Sequence, residues 1–142
     1  IDITKDFTRT ATAKVLNVAK NNQVAFGLMV RDDVYIDKFD NSINSDYIAV
    51  GGFKFAAPTA SSYSRIDTVI TPTESAQPIA KGTVVDLSIT KKGNVYTVKC
   101  GTNPEVSYTA DLKNIDASNV YAGLYTARAA YVEFSNVKLT LN

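Results

Sequence analysis

The chain has 142 residues, room for one domain, and 45% hydrophobic against 20% charged residues is a globular composition that excludes disordered and collagen-like chains. It contains no His, no Trp and a single Cys, Cys100, which excludes Ser-His-Asp and Cys-His triads, His-ligated metals, zinc–thiolate clusters and any internal disulfide. Fifteen basic and fourteen acidic side chains leave a net charge of +1, so no bulk field is directed at nucleic acid or a membrane surface.

No apolar run reaches transmembrane length, and the chain opens at Ile1 without an initiator Met or a signal-type apolar segment, which reads as a piece of something longer. From Phe7 to Val15 apolar and polar residues alternate with period two, the pattern of a half-buried strand. Gln23 to Arg31 is nearly all apolar, as expected of a central strand covered on both faces. Asp32 to Asp46 reads as a loop, and Tyr47 to Phe55 and Tyr63 to Ile70 as further strands. Pro72 to Gly82 reads as a second loop. Val85, Leu87 and Ile89 alternate with Asp86, Ser88 and Thr90, after which Lys91-Lys92-Gly93-Asn94 predicts a turn and Asn94 to Cys100 the partner strand. Leu112 and Ile115 are spaced for one helical turn within 109–118, and Val120 to Thr126 and Tyr131 to Leu141 close the set as strands. At least eight strands at spacings of about a dozen residues predict one all-β domain over 1–142, closed or built of two antiparallel sheets.

Charge is unevenly spread. Asp32, Asp33, Asp37, Asp40 and Asp46 crowd one segment against Arg31 and Lys38, whereas Lys81, Lys91, Lys92 and Lys99 face Asp86 alone in another. One lobe is acidic and another basic.

Four segments carry a family resemblance: GLMVRDDVYID (27–37), YIAVGG (47–52), LSITKKGNVYTV (87–98) and YAGLYTARAAYVEFSNVKLTL (121–141). In this order they resemble the concanavalin-like β-jelly-roll modules appended to bacterial glycan-degrading enzymes, above all those carried by secreted pectate lyases. The resemblance implies an antiparallel β-sandwich of jelly-roll type, a secreted bacterial protein, covalent linkage to a larger multidomain enzyme, and a polysaccharide ligand. Many carbohydrate modules stack sugars on Trp, and this chain has none, which turns the expectation from flat crystalline surfaces toward a charged or Tyr-stacked ligand.

Arg31 can grip a uronate carboxylate bidentately while a neighbouring Asp accepts sugar hydroxyls, and alternation allows only one of Asp32 and Asp33 to join it; Asp33 is the candidate. The competing reading is an internal Arg–Asp pair pinning a strand end. The resemblance places Arg128, in TARAAY, on the same sheet system, where it converges with Arg31 or else anchors an Asp such as Asp33 as a buried structural ion pair. Lys54 and Lys99 alternate with apolar neighbours and are expected on an exposed sheet face, suited to a regular polyanion, whereas Lys91 and Lys92 read as solvated turn residues. Of the eight Tyr, Tyr35 and Tyr125 lie near the Arg motifs and are the candidates for covering a sugar face; the others read as core-edge packing.

Asp37, Asp40 and Asp46, with Asn41 and Asn44, offer hard oxygen donors for a structural Ca²⁺, although no EF-hand spacing is present and a solvated acidic loop competes with this reading. No other cofactor is implied. Carboxylate pairs for glycoside hydrolysis exist on paper, such as Asp86 and Glu133, but none sits in a motif. The expectation is a non-catalytic module that targets an enzyme to plant cell-wall polysaccharide, with pectin or homogalacturonan as preferred ligand. A neutral glycan such as fructan or xylan, and a spacer or adhesion domain without a sugar ligand, are the alternatives.

Overall fold

The computed structural model describes residues 1–19, 24–34, 45–54, 59–74 and 80–142, and every regular element among them is a strand. In chain order these are β1 (Phe7–Val18), β2 (Val24–Arg31), β3 (Tyr47–Lys54), β4 (Thr59–Ile66), β5 (Val69–Glu74), β6 (Val84–Lys92), β7 (Val95–Cys100), β8 (Val106–Thr109), β9 (Tyr121–Ala127) and β10 (Ala130–Leu141). They form two five-stranded sheets, β10-β1-β6-β7-β8 and β5-β4-β3-β2-β9, with antiparallel pairing throughout. The architecture is the expected antiparallel β-sandwich.

The period-two pattern decides the interior. Phe7, Ala11, Ala13 and Val15 of β1, Val85, Leu87 and Ile89 of β6, and Tyr96, Val98 and Cys100 of β7 meet Phe26, Leu28, Val30, Ile48 and Val50 of the second sheet in one core. Each large side chain removed from water there contributes about 2–3 kcal/mol. The continuous apolar run of β2 has a separate explanation. Its other face carries Met29, which packs with Ala49, Phe53, Ala60 and Tyr63 in a second cluster on the outside of the sandwich.

Four local expectations change. The stretch 63–70 is not one strand: β4 turns at Asp67 and Thr68, both at positive φ (49° and 68°), and returns as β5. Such a two-residue turn normally announces itself by Gly or Asn, and here neither is present. Strand β5 runs through Pro72 to Glu74, which an edge strand tolerates because its outer N–H groups are not needed for pairing. No helical turn forms in 109–118; Leu112 enters the core and the Asn114 and Ile115 amides are bound by Asp32 instead. Lys91 is not a solvated turn residue. It is 1% exposed at the end of β6, with Nζ donating to the carbonyls of Ile3 (2.7 Å) and Lys5 (3.1 Å).

Candidate functional site

Antiparallel register sets side chains of β9, β2, β3 and β4 in transverse rows on the outer face of the second sheet. One row runs Tyr121–Arg31–Tyr47–Arg65, the next Gly123–Met29–Ala49–Tyr63. The row beyond places Tyr125 beside the Gly27–Gly51 pair. Aromatic and cationic groups therefore alternate across four strands at one end, and small residues form a floor behind them.

The Gly pair is required by the backbone. Gly27 and Gly51 sit at φ 151° and 149°, and a Cβ on either would fall 1.9 Å from Val50 O or 2.0 Å from Phe26 O. A register shift between Val50 and Phe53 in the β3–β4 pairing follows at once. Phe53 lands in the outer cluster, edge-on to Tyr63 (4.3 Å between centroids) and stacked with Tyr125 (5.9 Å, 12°).

Arg31 and Arg65 flank the Tyr47 ring, with Cζ 5.4 and 5.9 Å from its centroid. Arg31 is further held by Ser45, whose Oγ accepts from Nε at 3.1 Å and from Nη2 at 2.5 Å. Tyr63 meets Tyr47 edge-on at 5.5 Å. These groups, with Met29 and Tyr125, line an open depression of about 390 Å³. Burial raises the Tyr63 and Tyr125 phenols well above their ordinary value, so both remain O–H donors at neutral pH. The neighbouring Tyr63 hydroxyl adds to the rise at Tyr125, after burial as the main cause. Two guanidiniums, phenol donors and aromatic faces in one depression suit an anionic, hydroxyl-bearing, flat-faced ligand.

The candidates from sequence distribute as follows. Arg31 and Tyr125 line this depression. Arg128 does not join Arg31: it is exposed in the β9–β10 turn at positive φ (56°), at the opposite end of the sheet, about 20 Å away by strand rise. It is equally not a buried anchor for Asp33. Lys54, exposed at the end of β3, pairs with Val24 and shares that far end with Arg128. Lys99 pairs with Ser88 on the other sheet, lining a polar trough with Thr10, Asp86 and Lys138. It therefore stands on the opposite side of the sandwich from Arg31.

Asp33 is half-buried, and its Oδ2 has no hydrogen-bond partner. Its neighbour Asp32 is the structural member of the pair. Asp32 is wholly buried, and its carboxylate accepts the amides of Asp46 (3.0 Å), Asn114 (2.7 Å) and Ile115 (3.1 Å). Asp46 is buried too, accepting the Asp67 amide at 3.0 Å, and burial raises its carboxyl above the usual range. Tyr35, Asp37 and Asp40 lie outside the described residues. Among the described residues no three Asp, Glu, His or Cys side chains gather as a metal site. Cys100 is buried in the core, donates to Gly51 O at 3.5 Å, and has its thiol pushed up to about 11 by burial, so it is no ready nucleophile.

Sequence reading overlooked Arg65 and set Tyr47 and Tyr63 aside as packing residues. Tyr63 and Arg65 are two apart in one strand and so share a face, which was a usable signal. What was hidden is that β3 pairs Tyr47 with Arg65 on one side and Arg31 on the other.

No protein-family model matches the chain. Pectate lyase L of Thermoclostridium stercorarium is 33% identical over 139 residues, spanning 96% of this chain. The chain covers 11% of that protein's length. Among solved structures, a functionally unknown protein from Saccharomyces cerevisiae superposes with a TM-score of 0.66 at 14% identity, covering 100% of this chain and 72% of that one. The carbohydrate binding module CBM66 from Bacillus subtilis superposes with a TM-score of 0.55 at 13% identity, covering 95% and 74%. The chain is thus an antiparallel β-sandwich, similar in sequence to a segment of pectate lyase L and in fold to the carbohydrate binding module CBM66.

Proposed function

We propose that this chain is a non-catalytic carbohydrate-binding module that holds a secreted, bacterial plant-cell-wall-degrading enzyme against an acidic polysaccharide, pectin or homogalacturonan. The observation that carries the reading is the pair of guanidiniums, Arg31 and Arg65, on either side of the Tyr47 ring in an open depression. Arg31 and Arg65 take carboxylates, and Tyr47, Tyr63 and Tyr125 supply faces and O–H donors to the sugar. Arg128, in the turn at the far end of the same sheet, adds a further cation for a longer polymer, whereas Lys54 follows Phe53 in β3 and so faces away from the outer cluster. Targeting then acts by raising the local concentration of polymer around the covalently linked enzyme. The similarity to a segment of pectate lyase L supports the choice of polymer and the multidomain setting.

The test is titration with polygalacturonate at low and high salt, with and without EDTA. Contacts to carboxylates predict binding that weakens with salt. Arg65→Gln is expected to weaken it about ten-fold, the scale of one charge-assisted hydrogen bond, with an unchanged melting temperature. Salt-independent binding of fructan or xylan would favour a neutral-glycan module, and binding to nothing a spacer. Loss of binding in EDTA would assign a Ca²⁺ role to the acidic segment containing Asp37 and Asp40.

A further inference from the structure

The row Tyr121–Arg31–Tyr47–Arg65 alternates uncharged and cationic side chains on successive strands. Arg31 and Arg65 stand two strand spacings apart, about 10 Å, with the Tyr47 ring between them. A hexopyranose residue advances a glycan by roughly one strand spacing, so a polymer laid along the row meets a guanidinium at every second sugar. The two arginines take carboxylates of alternate residues, and the sugar between them rests on Tyr47. A carboxylate on that middle sugar would meet the negative face of the ring.

A second depression, of about 480 Å³, continues the row at its Tyr121 end, over the edge of the sheet formed by β9. It shares Met29, Arg31 and Tyr125 with the first. Arg31 is the one charged side chain among the described residues that line it, and this guanidinium leans toward the Tyr47 ring and Ser45 Oγ. The wall beyond is aliphatic, with Ile1, Ala122, Leu124 and Leu139, and the Ile1 nitrogen is taken up by Val120 O at 2.9 Å. Gly123 stands at the crossing, between Tyr121 and Tyr125 on the outer face of β9. Neither a positive φ nor an atom within 4 Å of its Cβ position demands glycine there, and glycine weakens a strand. Close approach of a ligand over the backbone accounts for it.

The sugar that follows Arg31 along the row is therefore read by aliphatic side chains. Carbon 6 of a hexose residue is a carboxylate, a hydroxymethyl or a methyl group. The first two lose hydration against such a wall, and the methyl group gains by burial. We infer that the module selects a polymer in which uronates alternate with 6-deoxyhexoses, its carboxylates at Arg31 and Arg65 and a deoxy-sugar methyl group in the second depression. The inference rests on the acidic-glycan reading above and adds the identity of the neutral sugar. Burying one methyl group is worth about four-fold in affinity.

The experiment is calorimetric titration of the full chain, at one ionic strength, with two tetrasaccharides: tetragalacturonate, and one in which galacturonate alternates with rhamnose. The alternating ligand is expected to bind about four-fold tighter, although it carries half the charge. Gly123→Val fills the crossing where space is free, and Leu139→Asn removes an aliphatic side chain at a position 44% exposed. Each is expected to bring the ratio of the two affinities to about one, and either variant alone decides. Equal or tighter binding of tetragalacturonate by the unsubstituted chain overturns the inference and leaves the acidic-glycan reading standing. A four-fold ratio that survives the substitutions, or variants that weaken both ligands alike, also overturns it. Binding of neither ligand removes the acidic-glycan reading and this inference together.

Discussion

Three neighbouring carboxylates show how burial separates roles that look alike in sequence. Asp32 accepts three backbone amides from two other segments and ties the β2 end to 114–115. Asp33, one residue on, keeps a buried oxygen without a hydrogen-bond partner. Asp46 bears the cost of burial against one amide bond, which leaves its carboxyl raised above the value of 3.8. A raised carboxyl binds more protons folded than unfolded, so its contribution to stability falls as pH rises from about 4 through its folded value. Asp46→Asn retains an acceptor for the Asp67 amide and removes this titration. Its melting temperature is expected to exceed that of the unsubstituted chain at neutral pH, with the gap closing toward acid; parallel melting curves at every pH would refute this.

At the scale of strands, the outer aromatic cluster depends on backbone that few residues can adopt. The Gly27–Gly51 pair brings β2 and β3 close enough that each Cβ position is occupied by the partner's carbonyl. Gly51→Ala is expected to cost about 3 kcal/mol in chemical denaturation, combining a backbone shift with a strained φ. A loss below about 0.5 kcal/mol would show that the pair is dispensable. The sequence made β1, β2, β6 and β7 legible, because each alternates or runs apolar over six or more residues. It concealed β8, a four-residue edge strand, and the β4–β5 hairpin, whose turn residues Asp67 and Thr68 lack the usual Gly or Asn. Lys91 was misread for a related reason. Its position beside Gly93 suggests solvent, but its pairing with Phe7 puts it on the inner face, where two carbonyls of the N-terminal segment receive it.

For the whole molecule, the consequence is a sandwich with two different outer faces. The second sheet presents Arg31, Arg65 and the Tyr cluster, while the first presents a hydroxyl-rich surface in which Thr8 meets Thr90 at 3.2 Å and Thr97 meets Ser107 at 3.0 Å. Lys99 belongs to that other surface. Lys99→Ala is therefore expected to leave polygalacturonate affinity within about two-fold, whereas Arg128→Ala reduces both affinity and its salt dependence for a long polymer. Equal losses from the two changes would place the polymer across the first sheet as well, against the assignment of one binding face.

The sequence by itself determined the chemistry available and the sides of individual strands. Without His, with one Cys and with Tyr as the prevalent aromatic, hydroxyl, guanidinium and carboxylate groups are what the chain can offer, and period two places each on a face of its own strand. Only the tertiary structure decided which of those groups meet. Arg31 finds Arg65 because β3 lies between their strands, and it misses Arg128 because antiparallel pairing sends the β9 turn to the opposite end of the sheet. Pairing of strands distant in sequence is a global choice made by burial of the common core, and no local pattern around Arg31 contains it.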